Sequence, residues 1–162
     1  MAASLSLRVY TSTGPTESAS KTGIDLISAD NDTNSLANRQ ANPITVGSNS
    51  YEKWLKLKID TAPANGVTNF KIWGDGATQT STTLYYTGNY ITGVTPTAAS
   101  STVANVVFTN YSSSGSAGTW DTTSYSATGS VTKYVVFQLS IDSTCGPGNW
   151  TQETINYSYD ET

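Results

Sequence analysis

Apolar residues recur at every second position through most of the chain, a period that belongs to β-strands rather than helices. Leu5, Leu7 and Val9 alternate with Ser6, Arg8 and Tyr10 until Gly14-Pro15 interrupts them. Ile24 and Leu26 flank Asp25 in a second short run, and Ile44 and Val46 follow Pro43 in a third. The clearest run covers 51–60, YEKWLKLKID. Leu55, Leu57 and Ile59 point one way while Lys56, Lys58 and Asp60 point the other, which predicts an antiparallel strand with one wet face. After a turn at 63–66, Phe70 and Ile72 alternate with Lys71 and Trp73, and Gly74-Asp75-Gly76 ends the run. Shorter runs follow at 82–86, 90–94 and 103–109. Val135, Phe137, Leu139 and Ile141 then alternate with Val136, Gln138 and Ser140. A turn over 143–148 and a returning run with Ile155, Tyr157 and Tyr159 on one face predict a closing hairpin.

No segment holds a helical period for three turns. Residues 29–42 read as a long loop with one short helical turn near 35–39. Residues 110–130, NYSSSGSAGTWDTTSYSATGS, are rich in serine and glycine, whose backbone ordering is costly. They predict an exposed loop or an arm that orders against a neighbour, anchored by Trp120 and Tyr125. The many short strands between turn signals predict an all-β fold. The expected architecture is an antiparallel β-sandwich, jelly-roll-like, with long polar loops. It forms a single domain over 1–162 with N- and C-terminal arms.

Composition supports folding. Hydrophobic residues make up 36% of the chain, which in another context would suggest disorder. Disordered chains pair that with high net charge and few aromatics, whereas this chain carries −4, four Trp and ten Tyr. The charge is uneven: residues 1–81 balance, and 82–162 hold Lys133 against Asp121, Asp142, Glu153, Asp160 and Glu161. A pI near 4.5 disfavours unspecific nucleic-acid binding. Lys53, Lys56, Lys58 and Lys71 read as the solvated faces of two strands. Met1 is followed by neither a basic nor an apolar leader segment, and no stretch approaches 18 apolar residues. The expectation is a protein made in a reducing cytoplasm without a membrane span, and the lone Cys145 fits it.

The residues most reactions require are scarce. There is no histidine to serve a serine or cysteine nucleophile, so the chain is expected not to be an enzyme. A His/Cys zinc site is excluded on the same ground, and no cofactor is expected. Asp30-Asn31-Asp32-Thr33-Asn34 resembles the start of a calcium loop. Ser35 stands where the sharp-turn glycine belongs and Ala41 where the bidentate glutamate belongs, so a polar loop with Asx turns is favoured. Asp75, Asp121 and Glu153 are the acids from which a hydrolytic carboxylate pair would be drawn, with no motif linking them.

The aromatic residues are the main candidates for binding. Strand packing, a protein interface and a sugar-stacking platform all draw on Tyr and Trp. Trp54 and Trp73 are expected to be exposed, Trp54 beside lysines on the wet face and Trp73 out of phase with the core. Trp120, Tyr125, Tyr157 and Tyr159 complete the set of interface candidates.

The segment NSLANRQANPI from Asn34, running into SNSYEKWLKLKID and then NFKIWGDG, resembles accessory virion proteins of tailed bacteriophages, as does the closing GNWTQETINYSYDE. The resemblance covers about 34–76 and 131–161. It implies a small β-sandwich virion structural protein, a capsid decoration or cement protein. Such a protein binds the major capsid protein or other virion proteins as a homo-oligomer, a trimer being favoured, and staples neighbouring capsomers. A neck- or tail-associated structural protein belongs to the same class, and a carbohydrate-binding receptor-recognition domain is the alternative from another class. Segments near both termini would add strands to a neighbour.

Overall fold

A computed structural model describes residues 2–11, 16–77, 80–91, 96–146 and 152–162. Nine strands are present among them: β1 (Ser4–Thr11), β2 (Thr16–Glu17), β3 (Lys53–Thr61), β4 (Val67–Trp73), β5 (Thr82–Tyr90), β6 (Val106–Val107), β7 (Gly118–Asp121), β8 (Tyr134–Ile141) and β9 (Asn156–Glu161). They form a six-stranded sheet in the order β2-β1-β3-β8-β5-β6 and a three-stranded sheet in the order β7-β4-β9, with antiparallel pairing throughout. The two sheets pack face to face. The chain is therefore the expected all-β sandwich, while the six-plus-three strand order gives the jelly-roll refinement no support.

Period 2 places the core. Val9, Leu55, Leu57, Ile59, Val135 and Phe137 from the large sheet meet Val67, Phe70, Ile72 and Trp120 from the small one. Strand β8 is buried along almost its whole length because it lies between β3 and β5 with both faces covered. That position explains one departure from the sequence reading. Both edges of β8 are taken, so the run after 143–148 cannot return beside it. Strand β9 crosses to the other sheet and pairs with β4, and the expected closing hairpin does not form.

Other departures have equally local causes. The runs at 24–26 and 44–46 stay outside the strands. The first serves to place Asp25, which accepts from Ser35 N at 2.9 Å and Arg39 Nη1 at 2.8 Å. The helical turn is present as α1 (Leu36–Ala41), capped by Ser35, whose hydroxyl accepts from Asn38 N. The run at 82–86 continues unbroken to Tyr90. A bulge between Thr87 and Tyr90 absorbs the lost alternation, with Asn89 at φ 58°. The part of the 90–94 run at 92–94 lies outside the described residues, as does the Gly14-Pro15 break. The run at 103–109 yields only β6 and then a 3-10 turn at Phe108–Asn110. Residues 110–130 are not an arm: β7 lies inside them and buries Trp120 in the core. The two terminal strands are likewise built into the sheets, β1 beside β3 and β9 beside β4.

Candidate functional site

The outer face of the large sheet was expected to be wet, with Trp54 exposed on it. Instead Trp54 is fully buried. Its ring stands edge-on to Tyr134 at 5.1 Å and to Tyr90 at 5.9 Å, and Tyr10 meets Tyr134 at 5.4 Å. Val103 and Ala104 pack against this second, outer layer. Two polar side chains fasten their loop to the sheet. Glu52 accepts from Trp54 Nε1 at 3.0 Å and from the Ser101 hydroxyl. Gln138 accepts from Ser101 N at 2.8 Å and donates to Ala99 O at 2.7 Å and Ser50 O at 3.0 Å. Lys56 lies over this layer with Nζ 4.0 Å from the Tyr134 ring centroid, a cation–π contact. Beside it Lys58 donates to Glu17 at 3.1 Å, and that bond holds the Glu17 carboxyl below its usual range.

Lys53 corrects the expectation that the four lysines are solvated. It is buried, and its ammonium donates to Ala29 O at 3.0 Å and Asn31 O at 2.6 Å. These carbonyls belong to the loop that resembles a calcium site, so the cation seated there is the chain's own. Thr33 N donates to Asn31 Oδ1 at 3.2 Å, the expected Asx turn, and Asp32 pairs with Lys21 at 2.9 Å. No group of three His, Cys, Asp or Glu side chains converges among the described residues.

The three acids considered for hydrolysis separate into two places. Asp121 is fully buried, and its carboxylate accepts from Thr123 N, Tyr125 Oη and Lys133 N at 2.7–2.8 Å. Burial pushes its pKa up, but these donors outweigh that and hold it below the ordinary value. Asp75 and Glu153 do come together. Glu153 Oε1 accepts from Asp75 N at 3.2 Å, and Asp75 Oδ2 accepts from Thr154 N at 3.1 Å. The pair ties the end of β4 to the approach to β9. Burial, and then the Asp75 charge, push the Glu153 carboxyl up.

Of the six aromatic interface candidates, Tyr157 and Tyr159 share the core-facing side of β9, Tyr157 edge-on to Trp120 and Tyr159 against Phe70. Trp120 is in the core, with Nε1 donating to Lys133 O at 3.2 Å, which corrects its place as an arm's anchor. Tyr125 is half-buried against Phe70, and burial followed by Asp121 pushes its hydroxyl up to about 12. Trp73 lies on the same small sheet but faces its other side. Tyr157 is 38% exposed on the edge strand. Tyr159 donates to Ala3 O at 3.2 Å. Trp73 is half-buried, in phase with exposed Lys71 and opposite Asn156. Tyr157 and Tyr159 belong to β9, whose outer edge is open among the described residues, a feature that the sequence pattern does not mark. Alternation over 156–161 marks the strand, but it fits a hairpin with β8 as well as the observed pairing with β4.

Two open concavities lie among the described residues. One, about 330 Å³, lies between β5 and β7 and is lined by Tyr86, Gly88, Val106, Tyr111 and Thr119. A polar groove of about 700 Å³ is lined by Ser81, Thr83, Tyr85, Ser140, Asp142 and Thr144. No family model, no curated protein and no solved structure matches the chain.

Proposed function

We propose that this chain is a non-enzymatic structural protein of a tailed-phage virion, a capsid decoration protein that binds the capsid surface and braces neighbouring capsomers. The sequence resemblance supplies the virion. The observation that carries the non-enzymatic part is where the ionic and polar side chains are used. Glu52, Lys53, Asp121 and Gln138 are all buried and all hydrogen-bonded to loops of the same chain. They hold loops of the chain onto the two sheets, and none of them lines either of the two open concavities. What remains outside is a polar surface with half-exposed tyrosines and an open strand edge, a surface suited to docking. Repetition over many equivalent positions would make weak contacts sufficient.

The test is sedimentation of the purified protein with and without empty capsids of the phage that encodes it. Saturable binding at a fixed ratio to capsid subunits is expected. Rings or stacked oligomers without capsid binding would move the protein to the neck or tail. A protein that ignores capsids but responds to host polysaccharide would replace the proposal with sugar binding, for which Tyr85 beside the Thr83–Asp142 groove is the place to look.

A further inference from the structure

Four sheet edges are present among the described strands, and one of them is long and open. Strands β2 and β6 have two residues each, too short to template another strand. The outer side of β7 is closed by β5: a Cβ at Gly88 would lie 1.8 Å from Thr119 O. Strand β9 has six residues and a single neighbour, β4.

The direction of its backbone groups follows from one bond. Thr162 N donates to Gly66 O at 3.1 Å, so that amide faces β4. Direction alternates along a strand. The bulge in this pairing falls on β4, between Thr68 and Lys71, and leaves β9 regular. The amides and carbonyls of Tyr157, Tyr159 and Glu161 therefore face outward. No described residue pairs with them; Ala3 bonds only the side-chain tips of Tyr159 and Glu161. The strand carries no Pro and no Lys, two devices that commonly blunt an edge.

Charge identifies what fits there. Lys71 is exposed, one strand in from the edge and directly opposite Ser158. Among the described residues its ammonium has neither an ion pair nor a hydrogen bond. Asp160, exposed on the same face of β9, holds Asn69 at 2.7 Å and, among the described residues, no cation. When two β9 strands pair antiparallel about a twofold axis with Tyr159 opposite Tyr159, Tyr157 and Glu161 of each strand face one another. All three outward residues then form hydrogen-bonded pairs. The same register sets Asp160 of one strand opposite Ser158 of the other. Its carboxylate arrives beside Lys71, across a serine too small to block it. This happens twice, once on each side of the axis. Parallel pairing would instead stack Asp160 and Glu161 on their own copies.

We infer that the open edge of β9 is a docking site for a second copy of this chain, joining two three-stranded sheets into one of six strands through a twofold β9–β9 contact with Lys71–Asp160 pairs across it. Such a contact needs only this edge and is independent of the virion role.

Analytical ultracentrifugation of the full chain over a concentration series tests it. The expected result is a monomer–dimer equilibrium in which Lys71→Glu and Asp160→Lys each weaken the dimer about tenfold. The combined Lys71→Glu/Asp160→Lys variant restores the attraction with its sign reversed and recovers most of the affinity. Each substitution is on an exposed side chain, and thermal melts will verify that each variant folds. A monomer at every concentration overturns the inference. So does an oligomer of any size that neither single substitution weakens, or one that the charge swap fails to rescue.

Discussion

Tyr125 donates its phenolic hydrogen to Asp121 Oδ2 at 2.7 Å, and through that bond the loop after β7 is tied to a fully buried carboxylate. Asp121 also accepts from the amides of Thr123 and Lys133, so one anion fixes β7, its following loop and the start of β8. Asp121→Asn would turn an NH2 toward at least one of these donors. The expected cost is about 2–4 kcal/mol of unfolding free energy, measured in urea at pH 7. The sign of the pH dependence follows from the depressed pKa. Asp121 stabilises the fold fully above the ordinary carboxylate range near ~4, and this is lost as pH falls through its lower folded value. The variant should lack that acid limb. Its Tyr125 should also titrate below the wild-type value of about 12, since the neighbouring charge is gone.

The link between Glu52 and Trp54 gives a second prediction. Glu52→Ala leaves Trp54 Nε1 and Ser101 Oγ without their acceptor in a buried site. The cost is expected at about 2–4 kcal/mol. Because Ser101 also caps the amides of Val103 and Ala104, the loop over Trp54 should loosen. Tryptophan emission should shift to the red before global unfolding. An unchanged spectrum would mean that apolar packing alone holds that loop down.

Gly88 and Gly146 form a matched pair. A Cβ at Gly88 would sit 1.8 Å from Thr119 O and 2.9 Å from Thr119 C, both backbone atoms of β7 that cannot swing aside. At Gly146 nothing lies within 4 Å. Gly88→Ala should cost about 3 kcal/mol or more, and Gly146→Ala about 0.5 kcal/mol or less. Equal melting temperatures for the two variants would show that β7 is not packed against β5.

These residues also show what the sequence could reveal. Leu55, Leu57 and Ile59 were legible because a half-buried strand writes its faces directly into period 2. The lysine at 53 was not. It shares the inward phase of Leu55, and only the folded loop at 29–31 supplies the carbonyls that make its burial tolerable. Trp54 looked exposed because its strand neighbours are lysines. Its cover comes from Val103 and Ala104, about fifty residues away, held by Glu52 and Gln138. Local pattern carries no information about such a lid. In 110–130 the low complexity concealed one short strand whose only strong signal was Trp120. The site was harder still. Parity correctly put Tyr157 and Tyr159 on one face of a strand, but parity does not choose a partner. That choice was made by β8 having both edges filled, a property of the whole sheet.

Glu153 provides the last test, and its sign is opposite to that of Asp121. Its carboxyl is partly buried beside Asp75. Two carboxyls in contact do not both ionise freely, and the surroundings decide which keeps the proton. Thr154, with Ala77, holds Asp75 below the ordinary range, whereas burial and then the Asp75 charge raise Glu153. The protonated form of Glu153 is therefore favoured by folding. Its contribution is fully present below the ordinary value near ~4 and is lost as pH rises through the higher folded value. Glu153→Gln is neutral at every pH, and its amide keeps both an acceptor for Asp75 N and a donor for the Asp75 carboxylate. At pH 4 the variant and the wild type should melt together. By pH 7 the variant should melt higher, by about 2 °C. A difference that stays flat from pH 4 to 7 would mean that Glu153 ionises as freely in the fold as in the open chain, and that the clasp between β4 and β9 carries no charge strain.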